Sequence, residues 1–221
     1  AESAHRLNLP VTLEQHDVAS FKYSHRLSLE EAAREVRYAF LSKTAAAQGA
    51  AAVALGHTSD DQAETILMHL IRGSGLAGLT GMSSLAYWPS PHDGRRVALV
   101  RPLLEVSREE TRRYTLWKGL TPRDDSSNLS LQFTRNRLRS DLLPLLRSYN
   151  PRFQEALLRL GHSAAQDQDY IMAEAAQARE RLAVDVVGGI ALDREGFVAL
   201  HPALKGKLGG GVGNSIGAGL L

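Results

Sequence analysis

The chain reads AAAVAL over residues 50–55 and GHTSDDQAETILMHLI over residues 56–71. The first run is short and apolar and is followed by Gly56, which is typical of a strand buried on both faces of a parallel sheet. Thr58 then stands in the position of a helix N-cap. The apolar residues behind it form one stripe at helical spacing: Ala63, Ile66, Leu67, Leu70 and Ile71. A buried strand that leads directly into a helix predicts one unit of an α/β fold.

The alternation of helix and strand continues on either side of this unit. Ser28 and Glu31 have the spacing of a capping box, which predicts a helix that ends before Gly49. Residues 96–100 are expected to form a strand, and residues 10–18 alternate between polar and apolar as a strand does. Together these elements predict an α/β fold with a doubly wound parallel sheet.

The second half of the sequence is expected to be mostly helical. Three further helices are expected, over residues 107–119, 131–146 and 152–182, and a glycine-rich loop over residues 73–81. The pair Asn150-Pro151 breaks helices, and we place a domain boundary there. Residues 1–150 then form the α/β domain, residues 151–205 a mostly helical segment, and residues 206–221 a glycine-rich tail that is expected to be flexible.

The composition excludes several classes of protein. The chain contains no cysteine, which excludes disulfide scaffolds, thiol nucleophiles and thiolate metal sites. The histidines show neither HExxH nor HxxxH spacing, so a zinc hydrolase would lack its ligands. The longest apolar runs are far too short to span a bilayer. We therefore expect a cytoplasmic protein without a membrane partner.

The small net charge of +2 is unevenly distributed. Residues 101–152 contain eleven Lys and Arg against six Asp and Glu, a balance of +5, so the rest of the chain sums to −3. One interpretation is that this segment meets a local anionic partner such as phosphate or nucleic acid. The other is a solvated pair of arginine-rich helices, and charge alone leaves both open.

Acidic residues cluster at the start of the helix that follows Gly56. Asp61 and Glu64 lie three residues apart, and Asp60 and Glu64 lie one turn apart, so their charges repel each other. One interpretation is a Mg²⁺ ion that bridges carboxylate and substrate phosphate at the sheet edge where parallel sheets bind ligands. The other is that these residues only stabilise the helix dipole. His57 has three possible roles: a contact to phosphate or base, a metal ligand, or a packed side chain.

Two groups of arginines are candidates for anion binding. Arg34 and Arg37 lie one turn apart on a predicted helix, where they either reach an anion at the sheet edge or pair with acidic neighbours. Arg135 and Arg139 are also one turn apart, and Arg101 follows the strand at 96–100. Guanidinium groups in such an arrangement suit phosphate, carboxylate or base edges, unless they form a solvated helix face.

The order of these motifs resembles that of the tRNA(Ile)-lysidine synthetases, which belong to the N-type ATP pyrophosphatases or PP-loop family. The resemblance is carried by GHTSDDQAETILM at 56–68, RGSGLAGLTGM at 72–82, EAAREVRY at 31–38, RPLL at 101–104, DSSN at 125–128 and RNRLR at 135–139. It implies an adenine nucleotide alpha hydrolase-like fold, followed by a mostly helical segment.

The resemblance also implies a reaction and a set of site residues. Such enzymes use ATP to adenylate the wobble cytidine of isoleucine tRNA at the C2 oxygen, and the amine of L-lysine then displaces AMP to form lysidine. The implied cofactors are ATP and Mg²⁺, and the implied partners are isoleucine tRNA and free L-lysine. The implied catalytic residues are His57, Asp61 and Glu64, with Asp61 also as a ligand of Mg²⁺. The implied nucleotide- or lysine-binding residues are Gly56, Asp60, Arg34 and Arg37, and the implied tRNA-binding residues are Arg101, Arg135, Asn136 and Arg139.

One motif of that family is missing from the 221 residues. The family's Ser-Gly-Gly-x-Asp-Ser loop, which wraps the phosphates, is not found, and the Gly-Gly pairs near residues 188 and 210 do not lie between a strand and a helix. We therefore expect an N-terminally truncated domain that lacks its first βαβ portion and has little activity alone. The alternatives are a non-catalytic tRNA-binding fragment or degenerate paralogue, and a tRNA-thiolating PP-loop enzyme, which the lack of cysteine disfavours.

Overall fold

The first half of the chain builds a small mixed sheet with helices around it, in a computed structural model that describes residues 2–89, 96–120, 134–186 and 189–209. The elements of this half are α1 (Glu2–Arg6), α2 (Val18–His25), α3 (Leu29–Ala47), β1 (Ala52–Ala54), α4 (Ser59–Ile71), α5 (Leu76–Leu79), β2 (Leu85–Pro89), β3 (Arg96–Val100) and α6 (Arg108–Trp117). The second half contains α7 (Thr134–Arg137), a π-helical turn (Leu138–Leu142), α8 (Leu143–Tyr149), α9 (Phe153–Leu182), β4 (Ala183–Val186), β5 (Gly189–Leu192), α10 (Arg194–Ala199) and α11 (Pro202–Gly209).

The sheet of the first half has the strand order β1-β3-β2. Strand β1 runs parallel to β3, with Val53 opposite Leu99, and the chain between them passes through α4. Strand β2 runs antiparallel to β3, with Tyr87 opposite Ala98. The predicted α/β fold is confirmed. Of the predicted parallel sheet, the described residues contain the parallel pair β1 and β3, whereas the antiparallel strand β2 was not predicted.

Strand β1 is more open than its apolar sequence indicated. Ala52 and Ala54 are exposed and Val53 is half-buried, so the prediction of a strand buried on both faces is wrong in the described part of the chain. The physical reason is its position in the sheet. β1 pairs with β3 on one side, and within the described ranges no strand lies on its other side.

The strand expected over residues 10–18 is also wrong. Residues 9–17 are exposed and have no regular structure, and helix α2 begins at Val18. The Asp17 carboxylate caps this helix by accepting a hydrogen bond of 3.1 Å from the Ser20 amide. Alternation alone does not form a strand, because backbone amides and carbonyls need a neighbouring strand as partner.

The core is centred on α4. Its buried apolar members are Ala63, Ile66, Leu67, Met68, Leu138, Leu143 and Leu157. Helix α9 crosses α4 at Gly161, where an added Cβ would lie 2.6 Å from Cδ1 of Ile66. The predicted apolar stripe ends early, because Leu70 and Ile71 remain 50% and 59% exposed in the last turn of α4.

The boundaries of the longer helices agree with the sequence patterns. The capping box at the start of α3 is present, with the Ser28 amide 2.9 Å from the Glu31 carboxylate, and Gly49 follows the helix with a φ of 61°. Helices α6 and α9 lie where they were expected. The start of the second half also agrees, because α7, the π-helical turn and α8 cover the expected helix from Thr134 onward.

Three local features differ from expectation. The glycine-rich loop at 73–81 contains the short helix α5, and β4 pairs with β5 in an antiparallel hairpin that was not predicted. The prediction that the flexible tail starts at residue 206 is wrong, because residues 206–209 belong to helix α11. This helix packs against α9, and its Leu208 is buried. The rest of that tail and the motif at 125–128 lie outside the described residues. Among the described residues, no helix has the length and apolar character needed to cross a membrane.

Candidate functional site

The first turn of α4 is fixed by Asp61, one of the predicted catalytic residues. Thr58 is the N-cap, and its amide and hydroxyl groups each donate a 2.9 Å hydrogen bond to Oδ2 of Asp61. Burial raises the pKa of Asp61, but the hydrogen bonds from Thr58 and the charge of Arg108 outweigh it and bring the pKa below the ordinary value of 3.8. Asp61 is therefore an anion that also holds the helix terminus.

Glu64 is a charged side chain in the protein interior. Its residue is 1% exposed, and Arg139 meets it with two hydrogen bonds, Nε to Oε1 at 2.8 Å and Nη2 to Oε2 at 3.0 Å. This fork geometry is the strongest form of arginine–carboxylate pairing. The hydrogen bonds that Arg139 donates to Glu64 raise the pKa of Arg139 against its partial burial, so the guanidinium stays charged.

Arg108 completes the neutralisation of the acidic residues. It was not among the site residues predicted from the sequence. Its Nη2 lies 3.2 Å from Oδ1 of Asp61 and 3.8 Å from Oε1 of Glu64, and its backbone amide donates a 2.7 Å hydrogen bond to Oδ2 of Asp60. The only sequence signal was its place directly after Ser107, the N-cap of α6. The mutual repulsion expected among the three carboxylates is thus offset by arginines.

His57 and Arg101 lie side by side where β1 and β3 end. Nε of Arg101 donates to Nδ1 of His57 at 3.3 Å, and Nη1 of Arg101 donates to the carbonyl of Ser83. A donor on Nδ1 requires a neutral imidazole that carries its proton on Nε2. Burial lowers the pKa of His57, and the positive charges of Arg101, Arg37 and Arg135 lower it further, against the opposing effect of Asp61.

Arg135, another predicted tRNA-binding residue, contacts α4 one turn after Asp61. Nη2 of Arg135 donates to Oγ1 of Thr65 at 3.3 Å, and Thr65 in turn donates to the backbone carbonyl of Asp61. Asn136 is buried at 8% exposure. We call the following residues the arginine–carboxylate cluster: Asp60, Asp61, Glu64, Arg101, Arg108, Arg135 and Arg139. Its four guanidinium groups exceed its three carboxylates, so the cluster has an excess positive charge.

The two arginines of α3 are placed differently from each other. The Arg34 guanidinium lies over the rings of Tyr38 and Trp88, 5.4 and 5.5 Å from their centroids, and these rings stack on each other at 4.4 Å. Arg37 lies 5.4 Å from the Tyr38 centroid, and its positive charge contributes to lowering the pKa of His57. Gly56 precedes His57, and a Cβ added there would meet no atom of the described residues within 4 Å, so crowding does not explain this glycine.

The acidic residues of the cluster do not by themselves form a magnesium site. Among the described residues, no group of three or more His, Cys, Asp and Glu side chains is arranged to hold a metal ion. Both oxygens of Asp61 accept hydrogen bonds from Thr58 and Arg108, and both oxygens of Glu64 are engaged by Arg139. The oxygens of Asp61 and Glu64 are thus already paired with donors of this chain.

Comparisons with known proteins agree with the motifs. The PP-loop domain family matches residues 1–146. The chain is 42% identical over 207 residues to the tRNA(Ile)-lysidine synthase of Dehalococcoides mccartyi strain CBDB1, covering 94% of this chain and 44% of that protein. The enzymes of the same name from Clostridioides difficile strain 630 and Geobacter sulfurreducens are 36% and 42% identical, over 86% and 72% of this chain and 39% and 32% of those proteins.

The chain thus spans less than half the length of these curated relatives. A solved structure, the U34-tRNA thiolase NcsA from Methanococcus maripaludis, aligns at 20% identity with a TM-score of 0.45, over 71% of this chain and 46% of that one. The family match covers about two thirds of the chain, including all seven residues of the arginine–carboxylate cluster. Because the family model matches more than half of the chain, the chain belongs to the PP-loop domain family.

Proposed function

We propose that this chain is the PP-loop part of a tRNA(Ile)-lysidine synthase, which uses ATP to ligate L-lysine to C2 of the wobble cytidine of isoleucine tRNA. The observation that carries the proposal is the 42% identity to an enzyme of that name over 94% of this chain. The excess positive charge of the arginine–carboxylate cluster supports it, because both ATP and tRNA are polyanions. A tRNA-modifying enzyme of this kind acts in the cytoplasm.

The proposed reaction has two steps. The C2 oxygen of cytidine forms a bond to the α-phosphorus of ATP while the bond to pyrophosphate breaks. The amine of lysine then bonds to C2, AMP leaves with the oxygen, and the amine loses a proton. Negative charge develops on the leaving pyrophosphate, and preorganised cations lower the free energy of such a transition state.

The cluster supplies such cations in fixed positions. Arg101 is anchored by Ser83 and His57, and Arg139 is anchored by Glu64, so neither guanidinium has to be ordered when the substrate binds. Among the described residues, Arg135 donates a hydrogen bond to Thr65, and we assign it to tRNA phosphate. Glu64 accordingly acts on the reaction by positioning Arg139.

We also propose Mg²⁺ as a cofactor and lysine as the amine donor. Mg²⁺ is usually held by one or two carboxylates together with substrate phosphates, so a metal that enters with ATP fits this family better than one held by protein alone. For Asp61 to be its ligand, Arg108 has to leave Oδ1 and turn to the phosphates. Lysine as the amine donor rests on the names of the relatives.

A chimeric enzyme tests the proposed function. In the Dehalococcoides mccartyi relative, the segment that matches this chain is replaced by this chain. The relative then supplies the rest of the longer protein. We expect ATP-dependent incorporation of radiolabelled lysine into an isoleucine tRNA transcript, and little incorporation by the 221-residue chain alone. ATP–pyrophosphate exchange measured on the same sample shows whether the chimera is folded and competent for adenylation.

The outcomes separate the proposal from its alternatives. A chimera that binds tRNA and is folded by circular dichroism, but neither exchanges pyrophosphate nor incorporates lysine, overturns the proposal in favour of a non-catalytic tRNA-binding protein. Exchange without lysine incorporation, together with sulfur transfer to tRNA, indicates a thiolating PP-loop enzyme. The unmodified relative serves as the positive control in each assay.

A further inference from the structure

Helix α6 begins at the arginine–carboxylate cluster and packs lightly, with Arg108, Thr111 and Thr115 half-buried and its other residues exposed. None of its ten residues is buried. Its N-terminus is held at the cluster, where the Arg108 amide and side chain contact Asp60 and Asp61, and a capping box of Ser107 and Glu110 closes its first turn. A helix of this length is marginal in water without tertiary packing, so a partner that covers α6 would stabilise it.

The other end of α6 displays an exposed aromatic pair. Trp117 is 74% exposed and Tyr114 is 57% exposed, and their ring centroids lie 5.8 Å apart. Nζ of Lys118 lies 4.2 Å from the Trp117 centroid and 5.7 Å from that of Tyr114. We call Tyr114, Trp117 and Lys118 the aromatic platform.

We propose that the aromatic platform stacks an unpaired base of the RNA substrate, at a fixed distance from the cluster where the modified base is held. Aromatic rings beside a cation are the combination that binds single-stranded RNA, because every base has a flat face and every nucleotide has a phosphate. Charge complementarity favours RNA over a protein segment, since residues 101–152 carry the +5 balance of the chain.

The length of α6 sets the spacing between the two contacts. The rise from Arg108 to Trp117 is about 14 Å at 1.5 Å per residue. That distance corresponds to about four stacked nucleotides at about 3.4 Å each. The platform is therefore placed to contact a base of the same loop as the modified cytidine. This assignment to a tRNA loop rests on the proposed function, whereas base stacking by the platform does not.

Tryptophan fluorescence provides a direct test on the 221-residue chain. The chain has two tryptophans, so Trp88→Phe leaves Trp117 as the single emitter. When the anticodon stem-loop of isoleucine tRNA is added, we expect the Trp117 emission to be quenched in proportion to the RNA bound. A fully paired hairpin of equal length should quench it much less. The reciprocal variant, Trp117→Phe, reports from Trp88 and should change little.

Affinity measurements with labelled RNA complete the test. We expect Trp117→Ala to weaken binding of the stem-loop about tenfold and Trp117→Phe to retain most of the affinity. The matched control is Tyr23→Ala, because Tyr23 is 77% exposed on α2 and also has a lysine, Lys22, over its ring. Tyr23→Ala should bind like the wild type, whereas Tyr114→Ala should weaken binding.

Several outcomes would overturn the proposal. These are RNA binding without quenching of Trp117, wild-type affinity of Trp117→Ala, and absence of RNA binding by the chain. A blue-shifted, RNA-insensitive Trp117 in the chimera would show that protein covers the platform instead. Quenching by both the stem-loop and an unstructured oligouridylate supports the platform even if the chimera fails to ligate lysine, so the two proposals fail separately.

Discussion

Arg139 and Glu64 are 75 positions apart in the sequence and form a two-point ion pair, with Nε–Oε1 and Nη2–Oε2 distances of 2.8 and 3.0 Å. The carboxylate is almost fully buried, while the arginine side chain keeps 33% of its exposure. The pair ties α4 to the π-helical turn and leaves about a third of the arginine side chain accessible. It therefore joins the stability of the domain to the position of a candidate substrate-binding cation.

The buried ion pair predicts a cost in stability when one charge is removed. Glu64→Gln leaves Arg139 with a neutral partner, and we expect the free energy of unfolding to fall by about 1–3 kcal/mol. Urea denaturation of the 221-residue chain measures this. The control is Glu155→Gln, an exposed residue of α9 that should stay close to wild type. A Glu64→Gln chain as stable as that control would contradict the prediction.

The loop after α5 predicts a steric cost at Gly81. Its φ is 68°, and an added Cβ would lie 2.7 Å from both Nε2 and Oε1 of Gln62. The Gln62 amide accepts from the Met82 amide at 2.7 Å, so the clash disrupts the hydrogen bonds that hold this loop. We expect Gly81→Ala to destabilise the chain by about 1–3 kcal/mol more than Gly119→Ala.

Gly119 is a suitable control for that comparison because it isolates the backbone contribution. It has a similar φ of 65°, but a Cβ there would meet no atom of the described residues within 4 Å. Both variants carry the strain of a left-handed residue, about 1–2 kcal/mol. Equal loss of stability in the two variants would show that the contact with Gln62 contributes nothing.

His57 predicts a dependence of stability on pH. Burial and neighbouring arginines hold its pKa below 6.5, the ordinary value that applies in the unfolded chain. The unfolded state therefore binds more protons, and the free energy of unfolding falls as pH drops from about 6.5 toward the folded pKa. His57→Asn should be less sensitive over this window. The control is His162→Asn, an exposed residue of α9, which should keep the wild-type pH profile.

Variants of Asp61 and Thr58 should separate the effect of the Asp61 charge on catalysis from its effect on helix capping. Asp61→Asn in the chimera should reduce ATP–pyrophosphate exchange by about a hundredfold or more, because it removes a charge that orders Arg108, while tRNA affinity stays nearly intact. Thr58→Ala is the matched control, since it removes the hydroxyl contact to Asp61 but keeps the carboxylate. Its cost should be limited to about 1 kcal/mol of stability. Unchanged turnover in Asp61→Asn would refute the site assignment.

Arg135 predicts a change in RNA affinity and in its salt dependence. Arg135→Ala should weaken tRNA binding and reduce the slope of log affinity against log salt by about one phosphate contact. Arg179→Ala, in the last turn of α9 and outside the cluster, should leave the slope unchanged. Titrations of labelled tRNA at several salt concentrations measure both values, and equal slopes in the two variants would argue against a phosphate contact.

The candidate site could be predicted only in part from the sequence. The motif around His57, Asp61 and Glu64 was identified because a strand-to-helix junction has a local signature. Arg108 was missed because its contacts to Asp61 and Glu64 come from a helix more than forty residues away. The roles assigned to the site residues stay predictions, and the structure adds their partners.

The sequence by itself determined the elements whose signals are local: the capped helices α3, α4 and α6, the strand β3, the long helix α9 and the order of the family motifs. Only the tertiary structure decided that 9–17 form no strand, that β1 lies open and that Glu64 is buried against Arg139. Caps and helical periodicity involve residues within one or two turns, so they can be read from neighbours in sequence. Strand pairing, burial and ion pairing depend on which distant segments meet, and no local pattern encodes that.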